Sequence, residues 1–383
     1  MNPRSGLTDT RTRLWAMGLA LAGLVVAGTA ASAFERMRRT EPIIPGSGVT
    51  RQSTLAAYEH SLEQTSADTE VFFMDGGQPG GVVLVLGGTH PNEPAGLLTA
   101  VLLVERARAA SGRLIVVPRA NGSGFTHNDP QEGAPQTFEI ATRGGPRSFR
   151  FGSRNTNPVD QWPDPDVYVH ASSGQRLSGT EVRNLNRAFP GRADGTFTER
   201  IALAIATLVR QEQVDLVIDL HEASPEYPVI NAIVAHERAM PLAAGVLLEM
   251  QMAGIQISLE ASPATLRGLS TRELGDHTPT LAVLLETPNP AQGRIRGRTS
   301  SALVVGGRDA VYERAARARR LFVPFDATGW PIEARVGRHA VGVVLFARLL
   351  GDARPGRGVV VEGVPEVASL RRDGLGAYLQ PPR

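Results

Sequence analysis

Apolar residues along the chain fall into two kinds of run. Short ones bounded by Gly, Pro or polar turns read as strands: EVFFM (70–74), VVLVLGG (82–88), RLIVVPRAN (113–121), VDLVIDLH (214–221), VINAIVAH (229–236) and TLAVLLETP (280–288). Between them, EPAGLLTAVLLVERARAA (93–110), FTERIALAIATLVRQEQ (197–213) and AMPLAAGVLLEMQMAG (239–254) repeat their apolar residues at helical spacing. Two more helices are expected near 307–321 and 332–350, ahead of a short tail containing GVVVEGV. EVFFM and VVLVLGG, separated by DGGQPGG, suggest two strands joined by a hairpin or short loop. Strand, helix, strand at this spacing is a βαβ unit, whose parallel strands need cover on both faces. The pattern predicts an α/β fold: a mostly parallel or mixed central sheet with helices on both faces, in a single domain over 71–383.

The pattern breaks in three places. Residues 121–180 are rich in Gly, Pro, Asn, Asp and Ser and read as a long loop insertion, with Trp162 and Tyr168 favouring an ordered lid or rim. Residues 35–70 are polar with one weak helical stretch, TLAAYEHSLEQ, and read as a linker. Residues 14–34, LWAMGLALAGLVVAGTAASAF, carry no charge and follow Arg4, Arg11 and Arg13 in a tail at 1–13. Roughly 20 apolar residues cross a bilayer, so 14–34 fits a transmembrane anchor. It fits a signal peptide equally, since Ala31-Ser32-Ala33 offers a small-x-small cleavage pattern. Basic residues ahead of the run keep the tail in the cytoplasm and export the rest, as a domain anchored outside the membrane or a periplasmic or secreted one; Arg36, Arg38 and Arg39 favour the reverse.

Composition narrows the chemistry. A chain of 383 residues with 42% hydrophobic content can bury a sizeable core. Every one of its basic Lys/Arg residues is an arginine, which excludes a Schiff-base lysine and a P-loop lysine. The absence of cysteine excludes thiol nucleophiles, Cys-type zinc sites and disulfides. With a net charge of only +2 and arginines scattered among few aromatics, nothing supports nucleic-acid binding.

Ligands of open α/β sheets bind outside the carboxyl ends of the strands, and three strands here end in acid-base or metal-type residues. VVLVLGG leads into His90 and Glu93, VDLVIDL into His221, and TLAVLL into Glu286. A catalytic zinc takes three imidazole or carboxylate ligands and keeps one position open, a set that His90, Glu93 and His221 can supply. Solvated strand ends explain each of them singly about as well. Asp219, two residues before His221, shares its face of the strand and suits an orienting carboxylate or a loop cap, whereas Glu222 should face away. Gly87 and Gly88 do not form a phosphate loop, because G-x-G-x-x-G is absent and Pro91 removes an amide. No G-x-S-x-G elbow is present. Asp164, Asp166 and His170 form a second acidic cluster that reads better as solvated turn residues.

Taken together, GGTHPNEPAG, VRNLNRAFPG and DLHEA, followed by Glu286 on a late strand, resemble the succinylglutamate desuccinylase and aspartoacylase family of the zinc carboxypeptidase superfamily. The resemblance spans roughly 80–290. It implies a zinc-carboxypeptidase-like fold with one Zn2+ per chain held by His90, Glu93 and His221, Glu286 as the base, and Asn186 and Arg187 gripping a substrate carboxylate. It also implies an arginine near the scissile carbonyl, for which Arg176 is the looser match and Arg183 competes. Relatives read D-L-N-R where this chain has Asn184 before Leu185.

The function so implied is a zinc-dependent amidohydrolase of the N-acyl amino acid deacylase type. Its partner would be a small-molecule or peptide substrate with a free carboxylate. The alternatives are a zinc carboxypeptidase acting on peptides or cell-wall fragments, and a non-catalytic zinc-dependent binding protein. Membrane contact would run through the N-terminal segment if it is uncleaved.

Overall fold

A computed structural model describes residues 10–129 and 133–382. The chain divides into two units, Met1–Thr40 and Glu41–Arg383. The first contains helix α1, Thr10–Arg38, whose 29 residues reach a mean hydropathy of 1.9 over their most apolar window. By length and composition it can cross a membrane. The expected apolar run 14–34 lies inside it.

The second unit is built on one sheet. Strands β1 (Arg51–Thr54), β2 (Glu70–Asp75), β3 (Val82–Leu86), β4 (Arg113–Val117), β5 (Leu216–Ala223), β6 (Ala232–Ala235), β7 (Ser258–Ala261) and β8 (Leu281–Pro288) form an eight-stranded sheet in the order β1-β2-β4-β3-β5-β8-β6-β7. The central run β4-β3-β5-β8 is parallel, while β1-β2, β2-β4 and β8-β6 pair antiparallel. The sheet is therefore mixed, as the pattern predicts. EVFFM and VVLVLGG are not hairpin partners, because β4 inserts between β2 and β3.

Alternation along the strands sends their side chains to two hydrophobic layers. Val83, Val85, Ile218, Leu220, Val283 and Leu285 pack with helices α2 (Pro94–Arg106), α4 (Met240–Met252) and α6 (Ile332–Ala353). Leu84, Leu86, Val217 and Ala282 pack on the other face with α3 (Phe197–Gln211) and Leu274 of α5 (Ser270–His277). Helix α3 begins where the sequence supplies a capping box: the Thr196 hydroxyl accepts from the Glu199 amide, and the Glu199 carboxylate accepts from the Thr196 amide. Helix α2 lies so close to β5 that a Cβ on Gly96 would stand 2.5 Å from the Leu220 carbonyl oxygen. Because α2, after β3, covers one face and α3, before β5, covers the other, the chain reverses its winding between β3 and β5. A crevice opens at the carboxyl ends of those strands.

Two expectations change. Residues 41–70 are not a linker: β1 pairs with β2, and Leu55, Leu62 and Ala67 are fully buried. Residues 121–180 are structured on both sides of residues 130–132, which lie outside the described residues. They contain the hairpins Thr137–Thr142/Gly145–Arg150 and Val167–Val169/Arg176–Ser178, with Phe125, Phe138 and Phe149 buried beneath. Tyr168 is buried as expected of an ordered rim, whereas Trp162 is 70% exposed.

Candidate metal centre and cleft

His90 and Glu93 lie on the turn between β3 and α2. Gly88 starts that turn in the left-handed region (φ +64°), where a Cβ would also press on the Phe125 ring and the Pro118 carbonyl. Across the crevice β5 presents His221. The three side chains converge: His90 Nδ1 is 2.8 Å from Glu93 Oε1, His221 Nδ1 is 3.0 Å from Glu93 Oε2, and the two Nδ1 atoms are 3.1 Å apart. All three residues are at most 2% exposed. Among the described residues this is the group of three whose ligand atoms are arranged to hold a metal ion.

Each ring is held from its far side. His90 Nε2 lies 2.9 Å from Asn184 Oδ1. That oxygen also accepts from the Asn186 amide, and the Asn184 Nδ2 group donates to Glu181, so Asn184 can only accept from the ring. His90 therefore carries its proton on Nε2 and a lone pair on Nδ1, the nitrogen that faces the centre. His221 Nε2 sits 3.0 Å from Asp219 Oδ2. The carboxylate is fixed in turn by the hydroxyls of Thr89 and Ser270. Asp219 thus stands at ion-pair distance from His221 while its hydrogen bonds come from hydroxyls on two neighbouring segments, so features of both readings expected of it are present, and Asn184 backs His90.

Charge follows from this packing. Burial pushes His90 down to about 4, and the Arg154 guanidinium adds to the effect, leaving the ring neutral. Burial also opposes charge on His221, but Asp219 and Glu93 outweigh it and raise this ring well above the ordinary value. Glu93 is held well below the carboxylate range: burial opposes its ionisation, and the histidines outweigh burial. Two imidazole nitrogens and one carboxylate on a common point, backed by acceptors, fit a divalent metal such as zinc.

Glu286 stands beside His221, its register partner in the parallel β5-β8 ladder, and faces the cleft half-buried. Its Oε2 is buried with no hydrogen-bond partner. Burial pushes the carboxyl up to about 8, against the pull of His221.

The cleft has a volume of about 610 Å³ and is lined by these four residues, Arg154, Asn186, Arg187 and others named below. Arg187 reaches it from the segment after Asn184. Burial, and after it the Arg154 charge, lowers the Arg187 pKa. Asn186 is anchored by accepting from the Ser270 amide. The other two arginines expected near the site lie elsewhere. Arg176 is exposed on its hairpin, outside the cleft lining. Arg183 is bound bidentately to Asp164 and to the Thr156 carbonyl, so its donors are spent on structure. The cation that reaches the centre is Arg154, whose Nη1 lies 3.2 Å from His90 Nδ1 and 3.3 Å from Glu93 Oε1. Its sequence signal was only a lone arginine in a loop rich in Asn, Gly and Ser. Asp164 is taken by Arg183. His170 is used at both nitrogens, by the Phe189 carbonyl and the Ser173 hydroxyl, so that cluster builds turns.

Glu222, expected to face away, does so with a purpose. Its carboxylate accepts from the Ala95 amide at the start of α2 and forms a fully buried 2.7 Å ion pair with Arg335 of α6. Its own amide donates to Glu93 Oε2, while the Gln292 side chain donates to Glu93 Oε1.

Residues 168–286 match the model of the succinylglutamate desuccinylase/aspartoacylase catalytic domain, which bears out the resemblance read from the sequence. An N-alpha-acetyl-L-2,4-diaminobutyric acid deacetylase of Halomonas elongata is 28% identical over 159 residues, 41% of this chain and 33% of that protein. The match thus spans about a third of that relative's length. Among solved structures, an aspartoacylase family protein of Mesorhizobium loti is 23% identical with a TM-score of 0.36, covering 57% of this chain and 55% of that one. A metallo-carboxypeptidase of Burkholderia cenocepacia is 14% identical with a TM-score of 0.42, covering 77% of this chain and 67% of that one.

Proposed function

We propose that this chain is an exported, zinc-dependent hydrolase that cleaves the amide bond of an N-acyl amino acid bearing a free carboxylate. The observation that carries the proposal is the meeting of three ligand-type atoms, on His90, Glu93 and His221, beside the unpartnered carboxylate oxygen of Glu286. The family match over residues 168–286 and the deacetylase relative support the same class of reaction.

One zinc ion per chain, held by His90, Glu93 and His221, would supply Lewis acidity toward water and the scissile carbonyl. The chain's own residues do the rest. Glu286 accepts the proton of the attacking water and returns it to the leaving nitrogen. Arg154 donates its Nη1 hydrogens toward the carbonyl oxygen as charge builds there, the part first expected of Arg176. Arg187, which lines the cleft and whose Nη1 donates to the Asn186 carbonyl, would turn its guanidinium to the substrate carboxylate. Asn184 and Asp219 keep the two rings aimed. A binding protein without turnover would have no need of a proton acceptor at that strand end.

Export rests on α1, whose apolar length fits an anchor or a signal. A short peptide with a free C-terminus is the second candidate substrate for the 610 Å³ cleft. Purified protein, zinc-loaded and chelator-treated, should therefore be assayed against N-acyl amino acids and di- and tripeptides. Chelator-sensitive release of a free amino acid from the N-acyl compounds is the expected result. Release from peptides alone would make it a carboxypeptidase, and no turnover by folded, zinc-loaded protein would overturn the hydrolase assignment.

A further inference from the structure

We infer that the amino acid released by this enzyme carries an apolar side chain, received by a pocket of Val234, Leu266, Leu269 and Leu284 between Glu286 and Arg187. The inference rests on the amide-hydrolase proposal above and extends it to the substrate's side chain.

The pocket follows from register. On β8, Leu284 lies two residues before Glu286 and shares its face. In the antiparallel β6-β8 pairing Val234 stands opposite Leu284, and Ala232 opposite Glu286. The sheet surface next to the proton acceptor is thus Leu284, Val234 and a bare methyl group. The adjoining wall is the segment leading into α5. Its Ser270 amide donates to Asn186 Oδ1, and the Gly268 carbonyl accepts from the Phe189 amide. A Cβ on Gly268 would meet the Arg187 backbone at 2.1 Å. Leu266 and Leu269 are therefore laid directly beside the residue proposed to hold the carboxylate, and all four apolar residues line the cleft.

An α-amino acid bears its nitrogen, carboxylate and side chain on one carbon. With the nitrogen at Glu286 and the carboxylate at Arg187, the side chain must leave from a point between them, and the surface there is apolar. The hydroxyl of Thr271, which also lines the cleft, is engaged with Ser262. Of the cleft's other charged residues, Arg154 lies against Glu93, and the Glu226 carboxylate accepts from the Arg294 amide and the Tyr312 hydroxyl. A carboxylate or ammonium group entering the pocket would lose its water with no partner to replace it, which is costly, whereas a leucine or phenylalanine side chain gains by leaving water.

The test compares N-acetyl derivatives of leucine, phenylalanine, alanine, aspartate, glutamate and lysine in two measurements. One is kcat/KM with the zinc-loaded wild type; the other is calorimetric binding to zinc-loaded Glu286→Gln, which reads the pocket without turnover. Leucine and phenylalanine should exceed aspartate, glutamate and lysine by about tenfold or more in both, with alanine between. Leu266→Arg, a change at the half-buried rim that should spare folding, should shift the ratio toward glutamate. A preference for acidic or basic side chains, equal binding of all six, or binding of none would overturn the inference. The apolar order in binding, with no compound cleaved by the wild type, would sustain the pocket and reject the hydrolase proposal instead.

Discussion

Asp219 and His221 project from the same face of β5, and the Asp219 carboxylate lies 3.0 Å from His221 Nε2, the nitrogen remote from Glu93. The carboxylate favours a proton on the ring, while a metal ion needs the Nδ1 lone pair. Metal must therefore displace a proton, which couples affinity to pH. The sign is fixed by the direction of the shift. In metal-free protein the raised His221 pKa contributes stability that is full below the ordinary histidine value and lost as pH rises through the folded value. Metal affinity should rise over that same interval. Zinc titration in weak buffer near pH 7 should release about one proton from this site, and Asp219→Asn should reduce that release. His90→Ala and His221→Ala should each lose most bound zinc by elemental analysis. Wild-type zinc content in both variants would place the metal elsewhere.

Glu286→Gln should keep fold and zinc while lowering turnover about 100- to 10,000-fold, the range of general-base contributions. A second signature separates a poised carboxyl from a structural one. The wild-type carboxyl, pushed up to about 8 in the folded metal-free protein, is protonated there while the unfolded chain is ionised from about pH 4.5. Metal-free wild type should thus lose stability relative to Glu286→Gln as pH climbs from about 5 to 8. Melting curves of the two apo proteins across that range should diverge toward alkaline pH; parallel curves would show that burial does not govern this group.

Arg154, Arg187 and Arg176 should separate cleanly. Arg154→Ala should lower kcat by about 100-fold or more, as removal of an oxyanion donor does. Arg187→Lys keeps charge but loses the fork, so it should raise KM for carboxylate substrates far more than for their amidated analogues. Arg176→Ala, on the exposed hairpin, should leave both parameters unchanged.

That separation marks where sequence reasoning stops. His90, Glu93, His221 and Glu286 were legible because each follows an apolar run whose end a parallel sheet exposes, and a polar residue at such an end is conspicuous. Arg154 was not, since its partner Glu93 lies 61 positions away and its own loop has no period to fix a direction. In a chain whose basic residues are all arginine, identity also says little about role. The stretch 41–70 was misjudged for a related reason. Leu55, Leu62 and Ala67 are too sparsely spaced to trace a helix or strand, yet short 3-10 turns and one edge strand suffice to bury all three. Glu222 was set aside as facing away from the metal, which is correct, but the buried arginine awaiting it comes from 113 residues downstream.

The Glu222–Arg335 pair gives its own prediction. Removing one partner of a fully buried ion pair costs about 3 to 5 kcal/mol, whereas replacing both with apolar groups costs far less. Arg335→Met alone should therefore be strongly destabilised, and Glu222→Leu/Arg335→Met should recover much of the loss. Zinc affinity should stay weakened in the double variant, because the Ala95 amide beside Glu93 has lost its acceptor. Full recovery of both properties would show that the pair serves stability alone.

Location is checked by fractionation. If α1 anchors or exports the chain, Glu41–Arg383 should resist protease in intact cells of a single-membrane type only when α1 is inverted, and should be recovered outside the cytoplasmic membrane in the native orientation.

The ladder joining 216–223 to 281–288 pairs eight residues without a bulge, and His221 and Glu286 are one of its rungs. The interval between the His221 and Glu286 backbones is consequently set by peptide geometry, not by side-chain packing. It can change only in steps of two residues, because a one-residue slip would turn Glu286 to the opposite face. Leu284 and Val234, one step away, are under no such restriction. Substitution there can redraw what the cleft accepts while His221 and Glu286 keep their spacing.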